Sequence, residues 1–405
     1  MSHTPRKPAT RLVEAGRRTG WTTLPGQPGG TVNPPVWRAS THLYEDCADL
    51  ARGRPNEDGH FYYGRRGGPT QWALADALTE LEPGAEGTEL FPSGVAAIAC
   101  TLLALLRPGD ELLVTDNAYE PTRNIALGML KPLGITARPF DPLNLDALAG
   151  MFTDATRAVM IESPGSLTME VCDVPAIATM ARERGALSII DNTWATGLGF
   201  PALQRGCDVS VISLTKHIGG HSDLMMGAAS AASPVIGRIR RQAQFLGQVV
   251  SPDDAALALR GMRTMSVRLE KETSSAIELA SFLQQRTEVS AVLCPMLPSD
   301  SGHALWQRDF TGGCGLFSFI LAHGYDNADR ARFIDALELF GIGYSWGGYE
   351  SLVIPIDPGP VHTLRPWPPG IDIGSGLGVR LSIGLEDPQD LIADLAQALD
   401  RMEKK

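Results

Sequence analysis

Between residues 187 and 223 an acid, two hydroxyls and a lysine fall at the ends of two short apolar runs. The run 187–190 has strand length and β-branched content and stops at Asp191. The run 209–212 has the same character and leads into Ser213, Thr215 and Lys216. Small, turn-prone residues follow each run, which places both polar clusters where a strand passes into a loop. In open α/β sheets that edge, beyond the carboxyl ends of the strands, is where ligands bind. The set suits a ligand with three handles: a group that pairs with Asp191, an anion for Ser213 and Thr215, and an electrophile for the Lys216 amine. Pyridoxal phosphate has all three. Its aldehyde condenses with a lysine, its ring nitrogen stays protonated beside a carboxylate, and the positive ring takes up charge from a carbanion. Taken singly, Lys216 also fits an ordinary solvated lysine and Asp191 an ordinary loop acid.

Other segments supply further candidates. Around the glycines of 61–70 stand Tyr62, Tyr63, Arg65 and Arg66, which suit an anion site or, equally, an exposed basic loop. Thr70 or Gln71 opens an amphipathic helix with Leu74, Ala77, Leu78 and Leu81 on one face, ended by Pro83 and Gly84. Ser93 reads as the N-cap of an apolar helix over 96–106, and Gly94 lets the backbone approach a ligand closely. Such a helix start binds phosphate through its free N–H groups. With Ser213 and Thr215 it makes a candidate phosphate cup, while alone it fits a plain capped helix. Tyr119 follows a strand at 111–115 and suits stacking on a flat cofactor, or a core or interface position.

The elements that must carry these residues alternate. A helix at 145–152, a strand at 158–162 and a helix at 175–184, with Pro175 inside its start and Gly185 past its end, continue the rhythm. This predicts an α/β fold with a mainly parallel sheet and helices on both faces. The loop 163–166 lies at another strand end, and the small-residue run 225–232 returns to the sheet. From 253 to 286 the pattern is helical, with an interruption expected near Gly261. Strands at 315–321, 351–356 and 379–383, a helix at 327–340 and a closing helix from Pro388 to about Met402 predict a smaller α+β domain. The closing helix would bury Leu391, Ile392, Leu395 and Leu399. The expected organisation is an N-terminal arm over 1–60, docked on a partner subunit or a loose tail, a large domain over 61–254 and a small domain over 255–405. Arg380 is a charge inside an apolar strand and needs a partner, either a substrate carboxylate or an internal ion pair. The aromatic, glycine-rich stretch 344–349 suits a pocket wall.

Composition narrows the classes. With 43% hydrophobic and 20% charged residues the chain is globular, and a formal net charge of −11 argues against nucleic acid or an anionic membrane as partner. Six scattered cysteines contain no CxxC pair, which argues against a zinc site or a disulfide framework and fits a reducing cytosol. The apolar run 94–106 is too short to span a bilayer, and no apolar run follows the basic start, so a cytoplasmic protein is expected. No GxGxxG follows the early strands, which speaks against a nicotinamide dehydrogenase.

The motifs ESPGSLTMEV at 162–171, DNTWA at 191–195, TKHIGGHSD at 215–223, FTGGCGLFSF at 310–319 and YSWGGYESL at 344–352 carry a resemblance. From about residue 60 onward the chain resembles the cysteine and methionine metabolism family of pyridoxal-phosphate enzymes. The resemblance implies an aspartate-aminotransferase-like (type I) fold and a homotetramer of two tight dimers acting on a small amino-acid substrate. It implies that Lys216 bonds to the cofactor and then shuttles protons, that Asp191 pairs with the ring nitrogen, and that Tyr119 stacks on the ring beside the catalytic lysine. Gly94, Val95, Ser213 and Thr215 would hold the phosphate, completed by Tyr63 and Arg65 of the neighbouring subunit. Arg380 would bind the substrate α-carboxylate, with Ser345 and Trp346 beside it and Tyr63 close by. The activity implied is β-elimination of cystathionine to homocysteine, pyruvate and ammonia in methionine biosynthesis. A γ-lyase or a cysteine desulfhydrase would use the same residues, and a non-catalytic regulatory protein on the same fold is a further alternative. Two departures stand out. Gly68-Pro69-Thr70 replaces the Asn-Pro-Thr of many relatives, and 163–167 lacks the Ser-Pro-Thr-Asn-Pro of many γ-cleaving ones. The second, like Trp346, favours the β-cleaving branch.

Overall fold

The structure, a computed structural model, describes residues 6–23, 26, 28–52, 61–357, 359, 364 and 374–402. Part of the expected arm (1–5, 24, 25, 27 and 53–60) lies outside them. Among the described residues the strands are β1 (Gly87–Phe91), β2 (Glu111–Thr115), β3 (Thr136–Phe140), β4 (Thr156–Glu162), β5 (Leu187–Asp191), β6 (Val209–Ser213), β7 (Gly227–Ala231), β8 (Val289–Leu293), β9 (Leu316–Leu321), β10 (Gly341–Ile342), β11 (Leu352–Ile356) and β12 (Gly378–Ser382). The chain divides into two compact units, Met1–Leu105 with Asp208–Ser266 and Leu106–Cys207 with Val267–Lys405.

In the first unit the order is β1-β7-β6, with β7 antiparallel to both neighbours. β7 contains only Gly, Ala and Ser and is buried throughout. Small side chains are needed there because the helix Gly94–Leu105 packs on β6 and β7. A Cβ at Gly227 would strike the carbonyl of Ser93, in the turn that leads into that helix. The helix Pro69–Leu81 packs on β1, and the helix Pro8–Glu14 packs on Pro69–Leu81 in turn. Leu12 is buried in that contact, and Arg11 Nη1 donates to the Glu80 carbonyl at 3.0 Å. Residues 8–14 are thus packed against the body of this unit.

The helix expected to break near Gly261 runs unbroken as Pro252–Leu283. Gly261 serves close approach instead. A side chain there would collide with the carbonyls of Ile218 and Gly219, in the loop just beyond Lys216.

In the second unit the order is β5-β4-β2-β3, with every pairing parallel. Leu112, Leu113 and Val114 and likewise Val159, Met160 and Ile161 are fully buried, as expected of parallel strands covered on both faces. β3 carries Pro139, which an edge strand tolerates. A second sheet has the order β10-β11-β12-β9-β8, antiparallel except for β10 with β11. Here two expectations need correction. The helix expected over 327–340 ends as Asn327–Asp335, because Asp394 accepts the N–H groups of Glu338 at 3.0 Å and Leu339 at 2.8 Å and so draws that backbone out of the helix. The closing helix, Pro388–Leu399, accordingly buries Asp394 and Ala398 with Leu391, Leu395 and Leu399, while Ile392 stays partly exposed.

Candidate active site

In the first unit, Ser93 caps the helix Gly94–Leu105: its Oγ accepts the Ala96 N–H at 3.0 Å and its carbonyl accepts the Ala97 N–H at 3.0 Å. The N–H groups of Gly94 and Val95 precede the first intrahelical bonds and carry the positive end of the helix dipole. The end of β6 stands directly against them. A Cβ on Gly94 would lie 2.8 Å from Ser213 Cβ and 3.0 Å from its Oγ, so only glycine lets the Ser213 hydroxyl and this helix start share one anion. Thr215 Oγ1 donates to the Met226 carbonyl at 3.2 Å and accepts the Met226 N–H at 3.1 Å, fastening the loop to the strand start that follows. Its hydroxyl proton is therefore committed to backbone here, and phosphate contact through it requires a turn about Cβ.

Lys216 is half-buried in the same loop. Its N–H donates to the Ser213 carbonyl at 3.3 Å, and its carbonyl accepts the Gly220 N–H at 2.8 Å. The Leu214 carbonyl accepts the Gly219 N–H at 2.8 Å. A lysine on a backbone tied down this closely projects from a fixed origin, which suits a covalent anchor. Tyr63 and Arg65 belong to this unit too. Both are exposed, Arg65 Nη1 reaches only the Gln244 carbonyl at 3.5 Å, and neither hydrogen-bonds Gly94, Ser213 or Thr215.

The second unit holds the acid. Asp191 ends β5 and is only 8% exposed. Its Oδ1 accepts the Thr193 N–H at 3.1 Å and the Thr193 hydroxyl, donors that suit a carboxylate anion. Beside it, in register across β4 and β5, is Glu162. Glu162 Oε2 accepts the Tyr119 N–H at 2.6 Å. Burial, then the neighbouring Asp191 charge, holds the Glu162 carboxyl well above the usual carboxylate range. Tyr119 is 45% exposed, and its phenol is raised by burial and by the charges of Glu162 and Asp191, with Arg380 opposing. Tyr119, Asp191, Glu162 and Arg380 thus lie within electrostatic reach of one another.

Arg380 sits in β12, opposite Ile354 of β11 and Ser318 of β9. Its Nη2 donates to the Ser345 carbonyl at 3.1 Å, and no carboxylate pairs with it among the described residues. Burial lowers the guanidinium to about 10. Ser345 adopts a φ of +91°, a conformation that L side chains rarely take, in order to present that carbonyl. The loop that also carries Trp346 is anchored where the Gly347 N–H donates to Ser382 Oγ at 3.3 Å.

The structure therefore gathers Gly94, Val95, Ser213, Thr215 and Lys216 in one unit, and Tyr119, Asp191, Ser345, Trp346 and Arg380 in the other. Sequence reasoning passed over three contributors. Glu162 closes the predicted strand 158–162 just as Asp191 closes its own, and that parallel was the available signal. Thr193 completes an Asp-x-Thr turn, also visible in sequence. Gly261 gave no signal beyond being a glycine within a helical pattern. The donor set fits pyridoxal phosphate: first-turn N–H groups with no partner among the described residues, beside a serine hydroxyl, suit a phosphate, the lysine suits an aldehyde, and a buried acid suits a pyridinium.

Comparison with known proteins agrees. Residues 10–400 match the family model described as Cys/Met metabolism PLP-dependent enzyme. Cystathionine beta-lyase MetC of Escherichia coli is 42% identical over 396 residues, covering 97% of this chain and 98% of that protein. A cystathionine beta-lyase of Bordetella avium is 44% identical over 374 residues, covering 91% and 92%. The crystal structure of metB from Corynebacterium glutamicum superposes with a TM-score of 0.85 at 28% identity, covering 98% of each chain. The parallel strands and the second sheet are those of the type I pyridoxal-phosphate fold. Match length and identity together place the chain within the Cys/Met metabolism family of PLP-dependent enzymes, with pyridoxal phosphate as its cofactor and a small molecule as its substrate.

Proposed function

We propose that the chain is a carbon–sulfur lyase that cleaves cystathionine by β-elimination, releasing homocysteine, pyruvate and ammonia. The observation that carries the amino-acid substrate is Arg380, a half-buried guanidinium with one carbonyl contact and no carboxylate partner among the described residues. A free α-carboxylate supplies what it lacks, with two parallel N–H···O bonds. The choice of cystathionine rests on the names of the relatives with 42–44% identity.

Pyridoxal phosphate, when bound, supplies an electron sink for charge released at the substrate Cα. The protein's part is placement and proton transfer. In this reading Lys216 anchors the cofactor, accepts the Cα proton and returns a proton to the departing sulfur, a role that an amine beside a cationic ring is tuned for. Asp191 keeps the ring nitrogen protonated, and Tyr119 covers the ring. Gly94, Val95, Ser213 and Thr215 hold the phosphate, while Ser345 and Trp346 flank the carboxylate held by Arg380. Tyr63 and Arg65, exposed in the single chain, complete the cup of a neighbouring copy in a homotetramer, with Tyr63 also close to the substrate there. The reading includes an arm over 1–60, a cofactor domain over 61–254 and a small domain over 255–405. It places the enzyme in the cytoplasm; among the described residues no helix is long and apolar enough to cross a membrane.

Steady-state rates on cystathionine, cystine, cysteine and methionine, with the keto acid identified, test the assignment. Pyruvate with homocysteine is expected, with cystathionine the fastest substrate. Release of 2-oxobutyrate would instead make the chain a γ-lyase, and cysteine turning over fastest a desulfhydrase.

A further inference from the structure

The Glu162 carboxyl belongs to none of the roles above, yet it bonds one residue that does and stands in register beside another. Its Oε2 accepts the Tyr119 backbone N–H at 2.6 Å, which sets where the chain leaves β2 and so where the Tyr119 ring stands. It also lies in register with Asp191 on the adjacent parallel strand, each the last residue of its strand. We infer that Glu162 is a positioning residue for the cofactor: it clamps Tyr119 through its backbone and leaves Asp191 as the single anion at the ring nitrogen.

Donor placement decides which of the two acids carries the charge. Asp191 receives two bonds from Thr193, an N–H and a hydroxyl, whereas Glu162 receives the single Tyr119 N–H. Two neighbouring carboxylates share one charge more readily than they hold two, and the better solvated by donors keeps it. Burial and the Asp191 charge favour the protonated Glu162, against the Tyr119 N–H and then the Arg123 charge. A protonated carboxyl still offers its carbonyl oxygen to the Tyr119 N–H, so the clamp does not need the negative charge.

Three substitutions separate the parts. Glu162→Gln keeps an acceptor oxygen and cannot ionise, Glu162→Ala removes the acceptor, and Glu162→Asp keeps the acid but draws its oxygen back by one methylene. The measurements are the dissociation constant of pyridoxal phosphate from the apoprotein, the pH midpoint of the bound cofactor's absorption change, and the melting temperature of the apoprotein. Glu162→Gln is expected to keep the wild-type dissociation constant and midpoint. The Ala and Asp forms are expected to weaken cofactor binding about tenfold and to displace the midpoint, with apoprotein melting close to wild type. If Ala does not fold, Asp carries the comparison. A Gln form as impaired as Ala or Asp would show that Glu162 acts as an anion, and Ala or Asp forms with wild-type binding and midpoint would show that it positions nothing. Either result overturns the inference. It rests on the roles given to Tyr119 and Asp191, so Tyr119→Phe and Asp191→Asn are measured alongside. Cofactor binding unchanged in Asp191→Asn would sink those roles whatever the position 162 series shows.

Discussion

Arg380→Met should make the empty protein more stable while removing its hold on substrate. The guanidinium offers five N–H donors, of which one reaches the Ser345 carbonyl at 3.1 Å. Burial lowers the group to about 10. At about 1.4 kcal/mol per logarithm, carrying that charge unpaired costs the empty protein about 3 kcal/mol. Loss of the Ser345 hydrogen bond takes back about 1 kcal/mol, leaving a net gain of about 2 kcal/mol for an apolar side chain of similar length. For a chain of 405 residues that is a rise in Tm of about 2 °C. The folded value is the lower one, so the cost is present at neutral pH and fades as pH rises past about 10. The stability gap between variant and wild type should therefore narrow in alkaline buffer. With substrate the sign reverses. Two charge-assisted bonds to a carboxylate, at about 1.5–3 kcal/mol each, disappear, and kcat/KM falls by about a hundredfold or more. Calorimetry of the apoprotein and keto-acid release by the holoenzyme read the two effects. A variant that melts lower than wild type yet keeps its KM would make Arg380 a structural strut and refute the reasoning.

Lys216→Ala should purify folded and release no keto acid, and wild-type-like turnover would remove the lysine from the chemistry. Gly94→Ala places a methyl 2.8 Å from Ser213 Cβ and should weaken pyridoxal phosphate binding to the apoprotein about tenfold, since an overpacked contact costs about 1–3 kcal/mol; an unchanged constant would move the phosphate elsewhere. Glu272 is fully buried on the helix Pro252–Leu283, and burial raises it to about 7, with Arg268 opposing. Its folded value is the higher one, so the native state holds a proton that the unfolded chain releases near pH 4–5, and stability is lost as pH rises from about 5 to 7. Glu272→Gln should match wild type near pH 5 and exceed it at pH 8 in urea unfolding; equal midpoints at pH 8 would contradict this.

The chemistry of the site was legible in the chain because strand ends announce themselves. An apolar β-branched run that stops at Asp191, and another that stops at Ser213, need no partner element to be recognised. The boundaries observed there, Leu187–Asp191 and Val209–Ser213, differ from the sequence pattern by one polar residue each. The cap was equally local: Ser93 Oγ accepts the N–H three residues on, at 3.0 Å. What sequence alone missed depended on long-range partners. β1, with Glu89 at its centre, and β3, with Pro139, show little alternation and are strands because neighbours supply their hydrogen bonds. The helix after Asn327 ends early because a carboxylate 56 positions ahead, Asp394, takes the Glu338 N–H. Gly261 reads as a helix breaker until the carbonyls of Ile218 and Gly219 are seen against it. Residue types and their local spacing determined which groups were available to react. Only tertiary packing decided that Glu162 stands beside Asp191 and that Arg380 is half-buried with no acid partner among the described residues, because burial and pairing depend on elements that meet from far apart in the chain.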